Sequence, residues 1–359
     1  MKTFEIATIP GDGIGIEVVN EGIKVLKKIE ELDQTFHLNF TIYPWGCNYY
    51  LKTGKMMSDD AMDILSKADA IYLGAVGYPT VQDAISLRDL LLKIRVEFDE
   101  YVNLRPVKLL KGANSPLKDK TSKDIDFIVV RENIEGEYAG IGKWIDKGKP
   151  TEKVEQTGVF SRYETERIIR YAFELCRKEG RKRVTSITKS NALNYSMVFW
   201  DEIFREVASE YKDIEANQLM VDAASMIFVT HPERLDVVVA SNLFGDILTD
   251  LGAAITGGLG LAEGDNLNTE GNYPSMFEAI HGSAPDIAGK GIANPIAEIW
   301  AGASMLKNLG YTKWYNRVVD AFEILLTEKK VLTPDLGGNS KTTDIGDEIS
   351  NILERLCYE

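Results

Sequence analysis

Short apolar runs rich in β-branched residues, each followed by a stretch of helical period, recur along the whole chain. Residues 4–9, 38–43, 70–75, 125–130, 184–188 and 235–240 read as buried strands: short, bounded by turn residues, and apolar without strict alternation. Residues 17–32 read as an amphipathic helix, with Val18, Ile23, Leu26 and Ile29 on one side; 163–178 and 195–211 read as further helices. Such alternation specifies the α/β class, with sheets flanked by helices. At 359 residues, 44% of them hydrophobic, the chain is long for a single core, and two lobes are expected. No repeat or low-complexity tract interrupts it. The polar, glycine-containing segment 142–153 is expected to be a loop or a protruding hairpin arm.

A net charge of −14 and a pI near 4.9 argue against nucleic acid and against anionic membrane surfaces. An anionic small substrate would need a local cluster of Arg or Lys. The three cysteines, Cys47, Cys176 and Cys357, show no zinc or disulfide spacing, as expected of a reducing cytoplasm. With the first strand read from residue 4, no signal peptide is expected, and no apolar run is long enough to span a bilayer.

The strand at 235–240 leads into a helix that carries Asp246 and Asp250. Four residues apart, these carboxylates share a helix face beyond the carboxyl end of a strand, where open α/β sheets bind ligands. Oxygen ligands at this spacing suit Mg²⁺ or Mn²⁺; two solvated acids on an exposed face are the plain alternative. Arg131 ends a buried strand, and Arg95 and Arg105 flank an apolar and acidic segment. Each alone is explained by a structural salt bridge. Three near strand ends in an acidic protein favour a carboxylate pocket. Lys189 follows a buried strand and has the setting of a base, against the commoner fate of a lysine reaching to solvent. Tyr138 is a candidate proton donor, against simple amphipathic packing. The turn Gly11-Asp-Gly-Ile-Gly15 follows a strand and precedes a helix, but its spacing is not G-x-G-x-x-G. It is read as a tight loop near a ligand rather than as a Rossmann fingerprint.

Seven segments, in order, then carry a resemblance over essentially the whole chain: Ile9-Pro-Gly-Asp-Gly-Ile-Gly15, Asn103-Leu-Arg-Pro106, Arg131-Glu-Asn133, Thr188-Lys-Ser-Asn191, Asn242-Leu-Phe-Gly-Asp-Ile-Leu-Thr-Asp250, Glu278-Ala-Ile-His-Gly-Ser-Ala-Pro-Asp-Ile287 and Ile292-Ala-Asn-Pro295. The chain resembles the β-decarboxylating dehydrogenases, which include the isocitrate, isopropylmalate and tartrate/D-malate enzymes. Gly54-Lys-Met-Met57, Phe98-Asp-Glu-Tyr-Val-Asn-Leu-Arg-Pro106 and the stretch from Asp126 to Asn133 point to the tartrate/D-malate branch. Ile134 departs from the family pattern, where Thr is expected, and leaves Arg131 and Tyr138 in place.

The resemblance implies a two-domain isopropylmalate-dehydrogenase-like fold, not of Rossmann type, with an inter-subunit arm. Residues 1–100 and 257–359 would form the cofactor-side domain, and 101–256 the domain of substrate, metal and dimer interface. It implies a homodimer with shared active sites. Asp222, Asp246 and Asp250 would hold Mg²⁺ or Mn²⁺, one aspartate coming from the partner subunit. Arg95, Arg105 and Arg131 would bind substrate carboxylates, with Leu91 in the selectivity segment. Lys189, Tyr138 and Asp222 would handle protons, Lys189 across the dimer. NAD would be held by Ile14, His281, Gly282, Ser283, Ala284, Asp286 and Asn294, with a monovalent cation such as K⁺ as a further expected ligand. The expected reaction is metal- and NAD-dependent oxidative decarboxylation of D-malate to pyruvate and CO₂, with tartrate a second substrate. 3-Isopropylmalate and isocitrate-type acids are alternatives. A carboxylic-acid binding module is the non-enzyme alternative, and it should have lost the lysine or the metal carboxylates.

Overall fold

The structure is a computed structural model that describes residues 1–358. It is α/β and divides into two compact units. One comprises Met1–Glu100, Lys108–Lys123 and the chain from Ala253 onward; the other comprises Tyr101–Val107 and Asp124–Gly252.

The chain opens with β1 (Lys2–Gly11), α1 (Gly15–Asp33), β2 (Phe36–Ile42), α2 (Cys47–Thr53), α3 (Ala61–Leu65) and β3 (Ala70–Ala75). Then come α4 (Asp83–Ser86), a π-helical turn over Leu87–Leu92, and α5 (Lys93–Glu97). The second unit follows with β4 (Val102–Lys108), β5 (Asp126–Glu132), β6 (Gly136–Ile145), β7 (Lys153–Val159), α6 (Arg162–Lys178) and β8 (Arg183–Thr188). It continues through α7 (Ser196–Ala208), β9 (Glu215–Met220), α8 (Val221–Thr230), β10 (Val237–Ala240) and α9 (Asn242–Ile255). The first unit resumes with β11 (Glu263–Leu267), β12 (Ser275–Ala279), α10 (Ile296–Asn308), α11 (Thr312–Glu328) and α12 (Thr342–Tyr358).

In the first unit the strand order is β2-β1-β3-β12-β11. β1 runs parallel to β2 and β3, β12 parallel to β3, and β11 antiparallel to β12. Every residue of β3 is buried, as its unbroken apolar run requires of a strand covered on both faces. α10 buries eleven of its residues, Ile296 to Leu306, so it has no polar stripe and no helical period in its sequence.

In the second unit the order is β4-β5-β10-β8-β9, with β5, β10, β8 and β9 mutually parallel. β10 starts later than its apolar run suggests, because the Asp236 carboxylate turns aside to accept from the backbone N–H groups of Lys182 and Arg183. β6 and β7 form an antiparallel hairpin of their own, largely exposed, and the polar segment 142–153 lies within it.

Candidate active site

The parallel strands of the second unit end along one edge. Arg131 pairs in register with Ala240, Ser186 with Val239, and Thr188 with Met220. Residues that leave the strands here are therefore gathered at the carboxyl edge, where such sheets bind ligands. They are Arg131 at the end of β5, Asn242 and Asp246 after β10, Lys189 after β8, and Asp222 after β9.

Arg131 is buried to 2% exposure and its guanidinium is fully engaged. It donates to Asp246 Oδ1 through one terminal nitrogen, and to Asn242 Oδ1 through Nε (3.1 Å) and Nη2 (2.8 Å). Its aliphatic stem lies on α9 at Gly245, where a Cβ would stand 2.5 Å from Arg131 Cγ. Only glycine lets the helix approach this closely. Arg105 donates to Asn103 Oδ1 and Thr249 Oγ1, each at 2.7 Å, and lies 3.7 Å from Asp246. The Tyr138 hydroxyl, at the root of the hairpin, donates to Asp246 Oδ2 at 2.6 Å.

Asp246 thus faces two guanidiniums and a phenol. Asp250, one turn on, accepts no hydrogen bond among the described residues. Its carboxyl is held above the usual carboxylate value, first by partial desolvation and then by the charge of Asp246, while Arg105 and Arg131 oppose the shift. A lone carboxylate beside another, beyond a sheet edge, fits a hard cation.

Lys189 and Asp222 form a separate pair at 2.9 Å. The ammonium of Lys189 holds the exposed Asp222 carboxyl below its usual range. Within one chain Asp222 does not join the other two aspartates: among the described residues no group of three His, Cys, Asp or Glu side chains could hold a metal. One chain offers two of the three expected metal ligands side by side.

The structure also adds residues that the sequence reading passed over. Asn242 braces Arg131 and donates to Glu135 O at 3.1 Å. Glu132, 4% exposed, accepts from the N–H groups of Ile134 (2.7 Å) and Glu135 (3.0 Å), which shapes the turn leading to Tyr138. Burial pushes the Glu132 carboxyl up to about 7, against the lowering effect of those two N–H groups. A polar residue at the carboxyl end of a buried strand is the signal that marks Arg131, and it marks Glu132 and Asn242 equally.

The remaining candidates lie in the first unit. Arg95 is buried to 3% exposure and donates to Glu278 Oε1 at 2.8 Å. It makes the salt bridge that is the plain explanation of a lone buried arginine. Leu91 is half-buried beside the core that contains Leu90, within the π-helical turn. Ile14 packs with Val18 and Ala293, and its N–H donates to Ser283 O at 2.8 Å. The Ser283 hydroxyl donates to Gly77 O at 2.6 Å. Asn294 is engaged on both sides, donating to Asp335 Oδ2 and accepting from Ile296 N, each at 3.0 Å. Ala284 adopts a left-handed backbone (φ 37°) and Gly282 is exposed.

Burial holds the His281 imidazole below its ordinary value, so it is neutral at pH 7. Its Nδ1 faces Gly282 O at 3.0 Å, which makes Nδ1 the donor, and its buried Nε2 is left as an acceptor without a partner. Asp286 is exposed in a turn, and the next helix begins only at Ile296, so it caps no helix. An unpartnered acceptor and an exposed carboxylate on one loop suit a ligand rich in N–H and hydroxyl donors.

No described helix is long and apolar enough to cross a membrane. The family model for isocitrate/isopropylmalate dehydrogenase matches residues 5–349. The chain is 52% identical to D-malate dehydrogenase [decarboxylating] of Escherichia coli (strain K12), over 99% of this chain and 100% of that protein. It is 48% identical to the probable tartrate dehydrogenase/decarboxylase of Bacillus subtilis (strain 168), over 99% of each. A crystal structure of isocitrate dehydrogenase from Methylococcus capsulatus superposes with a TM-score of 0.88 at 37% identity, covering 98% of this chain and 99% of that one. Dehydrogenases of this family act on small carboxylates and generally use NAD and a divalent metal. With the family model spanning nearly all of its length and about half of its residues shared with full-length relatives, the chain belongs to the isocitrate/isopropylmalate dehydrogenase family.

Proposed function

We propose that this enzyme oxidises and decarboxylates D-malate to pyruvate and CO₂, with NAD as hydride acceptor and Mg²⁺ or Mn²⁺ bound, and that it turns over tartrate more slowly. The observation that carries the reading is the Arg131–Asp246–Tyr138 cluster beside Asp250, in a chain so similar to a D-malate dehydrogenase. Asp246 and Asp250 would hold the metal together with Asp222 of a second copy. The exposed Lys189–Asp222 pair is the half-site that each chain would lend to the other. Apolar side chains exposed on the second unit, among them Ile141, Trp144, Val154, Leu193 and Val198, support a homodimer through this unit.

When bound, the metal would supply Lewis acidity toward the substrate oxygens and NAD would be the hydride acceptor. Arg105 and Arg131 bind the substrate carboxylates; the same role is proposed for Arg95, which here pairs with Glu278. Lys189, with Asp222 beside it, takes the proton of the C2 hydroxyl as the C2 hydrogen leaves with its electron pair. The β-carboxylate then leaves as CO₂ and its bonding pair passes to the enolate. Tyr138 returns a proton to C3. Asp286 accepts from the ribose hydroxyls of NAD and disfavours a 2′-phosphate. The free cysteines support a reducing cytoplasmic location, and activation by K⁺ is expected.

Isopropylmalate is the second reading, because Leu91 lies in the apolar run Leu90–Leu92. Apolar pockets discriminate by only ~1–3 kcal/mol per methylene, so side activities are expected. Measuring kcat/KM for D-malate, L-tartrate, D-isocitrate and 3-isopropylmalate with Mn²⁺ decides the matter. D-malate should lead. A preference of about tenfold, or about 1.4 kcal/mol, for isopropylmalate would overturn the assignment.

A further inference from the structure

The glycine turn after β1 stands where a dinucleotide loop would place its anion site, yet three of its N–H donors are already committed to protein. The Ile14 N–H donates to Ser283 O at 2.8 Å. Gly13, at φ +56°, has the Ser283 carbonyl where a Cβ would be. The turn therefore leans on the His281–Asn294 loop, and the N–H groups of Asp12, Ile14 and Gly15 are spent on Ala75 O, Ser283 O and Asp12 O.

That loop is exposed at Gly282, Asp286, Gly289 and Lys290, and Ala284, Gly289 and Gly291 all take positive φ. Free in solution, such a segment samples many shapes. Its shape here is held at three places. Ile14 and Val18 pack on Ala293, Ala284, Ile287 and Ala288. Thr342 donates through its N–H to Gly291 O (2.9 Å) and through its hydroxyl to Ala293 O (2.7 Å). Between them, the carboxylate of Glu17, in the first turn of α1, accepts from two N–H groups of the loop: Gly289 on Oε1, and Gly291 on Oε2 at 3.1 Å.

We propose that Glu17 is a positioning residue for the coenzyme: it clamps Gly289 and Gly291 so that the loop bearing His281 and Asp286 is preorganised before NAD arrives. The inference rests on the NAD reading of that loop. A carboxylate taking two backbone N–H groups is a strong tether, since both bonds are charge-assisted. Without it, the ordering of the loop is charged against coenzyme affinity. The competing role is that of a first-turn acid favouring the α1 dipole. That role would change the stability of α1 and leave the binding of NAD as it was.

The test titrates NAD into the intact wild-type, Glu17→Ala and Glu17→Gln proteins by calorimetry, with amide hydrogen exchange followed over residues 284–292. Glu17→Ala should raise the NAD Kd by about tenfold and speed exchange in the loop, with kcat for D-malate at saturating NAD changed by no more than about twofold. Glu17→Gln keeps a carbonyl acceptor for one of the two N–H groups and should fall between; it also serves if the alanine variant does not fold. An unchanged NAD Kd in both variants, or a loss of kcat at unchanged Kd, would overturn the proposal while leaving the coenzyme reading intact. A wild-type protein that binds no NAD would overturn the coenzyme reading, and the positioning role with it.

Discussion

Asp246 accepts from Arg131 and from the Tyr138 hydroxyl and lies within 3.7 Å of Arg105, so its charge organises the groups proposed to hold substrate. Asp246→Asn should weaken Mn²⁺ binding and lower kcat/KM by about 100-fold or more, since it removes a hard oxygen ligand and a charge that two guanidiniums face. Full activity of the variant in the presence of EDTA would refute the metal role. Glu132 answers to pH in a defined direction. Its folded value, about 7, lies above that of an unfolded glutamate. The protonated form is thus favoured by the fold, and stability is lost as pH rises toward 7. Glu132→Gln keeps the acceptor and cannot ionise. Its melting temperature relative to wild type should rise between about pH 5 and pH 7; a difference that does not vary with pH would contradict this. Arg131 and Lys189 were legible in the sequence because one ends a buried strand and the other directly follows one. Asp222 was not, because β9 has little of the apolar burial that marks the other strands. Arg95 was legible as a buried arginine, but no sequence pattern identifies Glu278, distant along the chain, as its partner.

The helix α9 serves the site as one rigid element, with Asp246 and Asp250 on one face and Gly245 admitting the stem of Arg131. Gly245→Ala must displace Arg131 or the helix. It should raise KM for the dicarboxylate by about tenfold, or about 1.4 kcal/mol, and steady-state kinetics at saturating NAD would show it. The loop from His281 to Asn294 carries Asp286 with no capping duty, so Asp286→Lys should narrow the preference for NAD over NADP. Comparable kcat/KM for the two coenzymes in the wild type would remove the basis for that role. Strands buried on both faces were legible as unbroken apolar runs, and α1 and α6 as amphipathic periods. β4, β11 and β12 were missed because Asn, Arg, Asp and Glu interrupt them, each held by buried partners such as the Asn266–Glu278 bond of 2.9 Å. α10 was missed because burial on all sides erases its period.

For the whole molecule, the α/β class and the family were legible because seven short segments occur in order, and local physics could not have supplied that alone. The hairpin of β6 and β7 was visible only as a polar interruption. Its antiparallel pairing is a tertiary outcome. If the Lys189–Asp222 pair works across a homodimer, mixing inactive Asp222→Asn and Asp246→Asn subunits should restore activity. Random reassociation gives mixed dimers with one unmutated site each, so about a quarter of wild-type activity is expected. No recovery on mixing would mean that the site is not shared in this way. In the proposed reaction, hydride transfer and loss of CO₂ occur together on D-malate and depend on a divalent ion. Measuring NADH and CO₂ in one reaction of the wild-type protein with D-malate, NAD and Mn²⁺, with and without EDTA, decides whether they do. Equal yields of the two products are expected, abolished by EDTA and restored by excess Mn²⁺; NADH without CO₂, or undiminished turnover in EDTA, would refute the coupling or the metal dependence.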